Sequence, residues 1–222
     1  MVVMTRAARP GATKTRLLPL LGAAGYAQLQ QAPRAHTVHI AATALPVRAR
    51  SLFVAIEPPD AVAEVAQLVG ADATAFTQQG SDLGARMCAA VAHAAATRPG
   101  PIVLIGTDVP LLTSDTIIEA TGVLAAGHDV VFGPALDGGY YLIAVPRPTP
   151  AVFDIDPALW GGSQLLASSA APARLAGLDV AFLPTRDLDT PEDAQALVAE
   201  AGLPPAIHAI LTSAFEQLCW LA

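Results

Sequence analysis

The chain reads as an α/β protein built on one mostly parallel sheet, and three observations carry that reading. Short apolar runs alternate with helical stretches along the sequence. Several of those runs are near-continuous Val, Ile, Leu and Phe, as strands covered on both faces require. Glycines, acids and arginines gather just after several of the runs, at the carboxyl ends of strands where open α/β sheets hold their ligands.

Taken in order, the runs predict strands at Val2–Thr5, Ser51–Ile56, Ala73–Phe76, Pro101–Gly106, Asp129–Gly133, Tyr140–Val145 and Val180–Leu183. Helices are expected between them at Ala24–Thr43 (bent or broken near Pro33), Ala61–Val69, Leu83–Thr97, Ser114–Ala125, Gly162–Ala170 and Pro191–Ala201. Pro59 and Asp60 punctuate the start of the second helix. The last begins Thr190-Pro191-Glu192-Asp193, with Thr190 placed to cap, Pro191 as the first helical residue and Asp193 at N3. After Pro204-Pro205 a further amphipathic helix follows, in which Phe215 and Trp220 read as packing residues. The organisation expected is one α/β domain over residues 1–202, with residues 203–222 a C-terminal helix packed on it or on a partner in a homodimer.

Composition bounds the function. At 222 residues, 53% hydrophobic and 14% charged, the chain can bury a sizeable core. Its apolar stretches are interrupted too soon for a membrane span, and its start lacks the order of a signal peptide. Cys88 and Cys219 lie in apolar helical patterns and read as buried free thiols. A cytoplasmic protein is expected. A net charge of −7 argues against a nucleic-acid footprint, which needs clustered Lys and Arg. It leaves room for a small anionic ligand, because Arg6, Lys14 and Arg16 gather after the first strand.

Lys14 is the only lysine of the chain and sits in Arg9-Pro10-Gly11-Ala12-Thr13-Lys14-Thr15-Arg16. A strand leading into a glycine-containing basic turn offers backbone N–H groups and a compact charge to a phosphate. It is not a P-loop: Thr13 stands where that pattern needs Gly, and Ala8 where it needs another. In Gly106-Thr107-Asp108-Val109-Pro110 a carboxylate follows an apolar strand, a position for Mg²⁺ or Mn²⁺ or simply for a turn. Asp187 and Asp189, two apart on an extended segment, point the same way and repel unless a cation or water lies between them.

Asp137-Gly138-Gly139 is a strong hairpin signal, and it also lets backbone approach a ligand with Asp137 reaching a hydroxyl. In Gly80-Ser81-Asp82-Leu83-Gly84-Ala85-Arg86, Asp82 reads as a helix cap. Arg86 then opposes the helix macrodipole, which an anionic ligand or an acidic partner would relieve. The five histidines show no metal spacing and read as structural or surface residues.

These segments together resemble a bacterial family of glycosyltransferase-like proteins with the nucleotide-diphospho-sugar transferase (type A) fold. That family is often labelled as of unknown function, and part of it is assigned to arsenosugar biosynthesis. The resemblance spans roughly residues 1–200. It rests on Met4 through Leu17, with Lys14, Thr15 and Arg16 matching directly, and on Gly80, Asp82-Leu83-Gly84 and Arg86-Met87. It continues through Gly106-Thr107-Asp108 with Pro110, Asp137 to Tyr141, and Asp187 to Asp193. Where the family usually has Lys-Ala-Pro, this chain has Arg6-Ala7-Ala8.

The resemblance implies a single Rossmann-like α/β domain. It implies a nucleotide held by Arg6, Gly11, Lys14, Arg16, Gly80, Asp82, Arg86 and Thr107. Asp108 would be the metal-binding acid, joined by Asp187 or Asp189, with Mg²⁺ or Mn²⁺ as cofactor, and Asp137 an acceptor-side group or base. Two ligands follow: a nucleotide sugar or a nucleoside triphosphate, and a small acceptor. The reactions implied are glycosyl transfer or, because the closing acidic segment also resembles small nucleotidyltransferases, nucleotidyl transfer. A non-catalytic nucleotide-binding protein is a third possibility, consistent with a single acid at 108.

Overall fold

The computed structural model describes residues 1–7, 20–21, 32, 35–44, 51–69, 73–107, 109–135, 137–183, 191–199 and 203–219. The strands are β1 (Val2–Arg6), β2 (Leu52–Glu57), β3 (Ala73–Thr77), β4 (Ile102–Ile105), β5 (Val130–Pro134), β6 (Tyr140–Val145) and β7 (Val180–Phe182). Each falls on a predicted run, displaced by at most one residue at either end. The helices are α1 (residues 35–44), α2 (Val62–Val69), α3 (Leu83–Thr97), α4 (Ser114–Ala125), α5 (Leu165–Leu175), α6 (Pro191–Val198) and α7 (Pro205–Cys219). No described helix is long and apolar enough to cross a membrane.

The described strands form one sheet in the order β3-β2-β1-β4-β6-β5-β7. Of these, β6 alone runs antiparallel, to β4 on one side and β5 on the other; the remaining pairings are parallel. The apolar runs explain the central position of β1, β2 and β4: nearly every side chain is buried, alternately toward the two faces. One face carries Val3, Val54, Ile56 and Ile105 against α1, α2 and α4. The other carries Val2, Met4, Phe53, Phe132 and Ile143 against α3 and α5. Burying one such Leu, Ile or Phe contributes roughly 1.5–3 kcal/mol.

Helix starts follow side-chain chemistry. Asp82 caps α3, accepting from Ala85 N at 2.9 Å, and Thr113 caps α4, accepting from Thr116 N at 3.2 Å. Thr190, the expected cap of α6, lies outside the described residues; Pro191 is the first residue of that helix, as expected. The helix expected at Gly162–Ala170 is displaced. Residues 161–164 form an exposed turn, α5 starts at Leu165, and it runs through Pro172 to Leu175. Pro172 removes one backbone donor and crowds the preceding turn, and the helix ends three residues later. A third apolar cluster joins α6 and α7 to Leu20 and Leu21, through Leu197, Ile207 and Leu211.

Candidate functional site

The topology places the predicted loops at one edge of the sheet. β1, β2, β3, β4 and β5 are parallel, so their carboxyl ends share an edge, and the amino end of antiparallel β6 reaches the same edge. Arg6 closes β1, Gly80 to Arg86 follow β3, Thr107 follows β4, and Asp137 precedes β6. Register sets their order. Val3 is level with Ile105 and Arg6 with Glu57 on adjoining strands, while Gly106 N donates to Tyr141 O at 2.9 Å. Of the residues expected to form the site, Arg6, Gly80, Asp82, Arg86, Thr107 and Asp137 are brought to this edge. Gly11, Lys14, Arg16, Asp108, Asp187 and Asp189 lie outside the described residues.

Arg86 has the acidic partner its position asks for. Its Nη1 lies 3.0 Å from Glu57 Oε2, and the two side chains are 23% and 26% exposed. Its Nε donates to Gly80 O at 3.3 Å. Glu57 ends β2 and is paired in register with Arg6, so two arginines and one glutamate stand on the α3 side of the edge. Gln78 ties the same edge together: its Nε2 donates to Thr5 O and to Ala55 O, each at 3.0 Å. Glu57 is a positioning group that the sequence pattern does not single out, whereas Gln78 opens the polar stretch expected after the third strand. The available signal was a polar residue terminating, or directly following, an otherwise apolar strand.

Asp82 is held by two bonds, from Ala85 N and from Ser81 Oγ, each at 2.9 Å. The Ala85 N–H, and after it the Ser81 hydroxyl, keep its carboxyl below the usual carboxylate range. Asp137 Oδ1 accepts from Gly139 N at 2.8 Å, a turn in which Gly138 takes φ +91°. This leaves Oδ2 without a hydrogen-bond partner among the described residues. The two tyrosines of this motif face the core. Tyr140 packs edge-on against Phe132, its hydroxyl pushed up in pKa by burial, and Tyr141 lies against Gly133, where a Cβ would come within 2.3 Å of the ring.

The glycines of the motifs do more than bend the chain. A Cβ on Gly84 would meet the Trp160 ring, and one on Gly138 would meet Ser163 O, so the segment running into α5 closes onto the edge. No pattern in the sequence marks Trp160 or Ser163 for this contact. Among the described residues, no three His, Cys, Asp or Glu side chains gather as metal ligands. The three acids named for a metal are outside that set. His36 and His93 are structural, as expected: His36 Nε2 lies 3.0 Å from Leu112 O, and the His93 ring stacks on Phe76.

With this geometry in hand, the likeness to known proteins is specific. A family model described as "uncharacterized protein conserved in bacteria" (DUF2064) matches residues 40–159, more than half of the chain. A crystal structure from Desulfovibrio desulfuricans G20, assigned provisionally as a nucleotide-diphospho-sugar transferase, superposes with a TM-score of 0.83 at 27% identity. That match covers 99% of this chain and 96% of the other. Two more distant structures share the fold. Molybdopterin-guanine dinucleotide biosynthesis protein A of Archaeoglobus fulgidus has a TM-score of 0.51 at 14% identity, covering 100% of each chain. A cytidylyltransferase of Leptospira borgpetersenii has 0.55 at 12%, covering 99% of this chain and 93% of that one. None of the curated proteins matches the sequence.

Proposed function

The chain belongs to that bacterial family, DUF2064, and on this premise we propose that it is a metal-dependent transferase using a nucleotide sugar as donor. One observation carries the reading. Arg6, the Gly80–Arg86 turn, Thr107 and the Asp137 turn converge on the carboxyl edge of a sheet. That sheet's fold is shared over 99% of the chain with the Desulfovibrio structure.

In this reading Arg6, Lys14, Arg16 and Arg86 neutralise the diphosphate. Glu57 fixes the Arg86 guanidinium and offsets part of its charge. The backbone at Gly11 and Gly80 and the Thr107 hydroxyl approach the nucleotide. Asp108 and either Asp187 or Asp189 would supply hard carboxylate oxygens, the donor type suited to Mg²⁺ or Mn²⁺. The bound ion would stabilise charge on the leaving nucleotide. Asp137 would take the proton of an acceptor hydroxyl through Oδ2, since Oδ1 is committed to Gly139 N.

Thermal-shift titration with UDP, GDP, GTP, CTP and nucleotide sugars, each with and without MnCl₂, tests this. A ligand at a hundredfold excess over its Kd stabilises by about 2.7 kcal/mol. The expected result is a metal-dependent shift with a nucleoside diphosphate or nucleotide sugar, abolished in Asp108→Ala. Unchanged metal-dependent binding in Asp108→Ala counts against the reading. The closing segment Asp187 to Asp193, which resembles that of small nucleotidyltransferases, favours a second one. There the basic loop grips a triphosphate, and the signature is a shift confined to nucleoside triphosphates with release of pyrophosphate. Binding without turnover of any donor would mark a non-catalytic nucleotide-binding protein.

A further inference from the structure

Two motif glycines at the edge are in contact with one stretch of the chain. A Cβ on Gly84 would lie 2.4 Å from Trp160 Cζ2 and 2.5 Å from Phe153 O. A Cβ on Gly138 would lie 2.1 Å from Ser163 O, and Gly138 O accepts from Leu166 N at 3.0 Å. The stretch from Phe153 to Leu166 is therefore seated twice, on the first turn of α3 and on the turn that fixes Asp137. Between the seats, Gly161 and Gly162 are exposed, and a Cβ on Gly161 would meet nothing within 4 Å. Trp160 carries a second feature. Its Nε1 is buried and has no hydrogen-bond partner among the described residues. An indole donor buried in this way is a cost that packing alone does not explain.

We propose that Trp160 is a positioning residue for the Asp137 turn. Its ring fills the space left by Gly84, holds the 153–163 stretch against α3, and through Ser163 backs Gly138 and the Asp137 carboxylate. The proposal rests on reading this edge as the site of a nucleotide-dependent transferase. It deepens that reading by dividing the edge in two. The donor side is built by Arg6 and the Glu57–Arg86 pair, in which Glu57 is the described partner of Arg86. The acceptor side is built by Asp137 and supported from Trp160. A misplacement of about 1 Å at a reacting group can cost 10²-fold in rate without altering binding elsewhere.

The test uses the full chain and the donor found by the thermal-shift panel, with MnCl₂ present. Donor binding is measured by calorimetry, and donor turnover by release of nucleoside diphosphate or pyrophosphate with water as acceptor. Trp160→Ala is expected to keep donor Kd within about twofold and to lose about tenfold or more in kcat. Trp160→Phe, which keeps an aromatic ring at this position, is expected to restore most of the rate. Wild-type turnover in Trp160→Ala, or a parallel loss of donor binding in both variants, overturns the proposal. If the wild type binds or turns over no donor, the transferase reading fails, and the coupling is measured directly. With Trp220→Phe, Trp160 is the remaining tryptophan of the chain. Asp137→Ala must then shift its emission maximum, and an unchanged spectrum overturns the proposal.

Discussion

Alanine is better than glycine in a helix interior by about 0.8–1 kcal/mol, yet Gly84 sits in the first turn of α3 with no room for a methyl group. Trp160 and the Phe153 carbonyl occupy that space, and the carbonyl is backbone that cannot rotate away. Gly122, in α4, is the opposite case: it is exposed, and a Cβ there would meet nothing within 4 Å. The two sites predict opposite signs. Gly122→Ala should stabilise by about 0.5–1 kcal/mol through lower unfolded-chain entropy and better propensity. Gly84→Ala should destabilise by about 1–3 kcal/mol, because overpacking outweighs propensity. Urea denaturation of both variants reads the signs, and a stabilised Gly84→Ala would mean that the 153–160 stretch yields easily. Arg86 teaches a related lesson. Its charge at a helix start signals an anion, and the sequence cannot tell a bound phosphate from an acid of the same chain such as Glu57.

One contact that α1 makes with the segment after β4 is titratable. His36 Nε2 donates to Leu112 O at 3.0 Å, tying α1 to the segment that follows Thr107 and Asp108. Burial lowers the His36 pKa from its ordinary 6.5; the Leu112 carbonyl partly opposes this, and His39 adds slightly to it. A lowered pKa means that the unfolded chain binds more protons than the folded one between the folded value and 6.5. Stability is therefore present in full above 6.5 and falls as pH drops through the folded value. Thermal melts from pH 7.5 to 5 should show Tm falling more steeply in the wild type than in His36→Gln, whose amide keeps a donor. Equal slopes would remove His36 from the account.

At this scale the strands are the most legible elements, because both-face burial writes itself as uninterrupted apolar residues in Val2–Met4 and Ile102–Ile105. The start of α5 was not. Trp160-Gly161-Gly162-Ser163-Gln164 could open a helix as easily as form a turn, and the choice is made by tertiary contact with Gly84 and Gly138. The site divides in the same way. Loops after parallel strands must share an edge, so the meeting of Arg6, Gly80, Thr107 and Asp137 follows from strand order. The clamps by Glu57, Gln78 and Trp160 depend on distances that no spacing in the sequence encodes.

For the molecule as a whole, the question is whether the C-terminal helix belongs to the cooperative fold. Leu211 on α7 is fully buried in the cluster shared with α6, Leu20 and Leu21, whereas Leu175, at the end of α5, is 89% exposed. The same chemical change is therefore expected to have unequal effects. Leu211→Ala should cost about 2–5 kcal/mol, and Leu175→Ala should stay within about 0.5 kcal/mol of wild type. The shape of the transition carries the further information. If α7 folds with the sheet, Leu211→Ala shifts one sigmoidal denaturation curve to lower denaturant with its slope kept. If α6 and α7 form a separate unit, the variant shows an early helical loss by far-ultraviolet circular dichroism, with the sheet unfolding later at the wild-type midpoint. The single shifted curve is the outcome expected here. α6 follows the edge strand β7, and the α6–α7 cluster also takes in Leu111, the residue preceding Leu112, whose carbonyl His36 holds. Through Leu111 that cluster packs against the segment beside Thr107, so α7 is joined to the sheet edge as well as to α6.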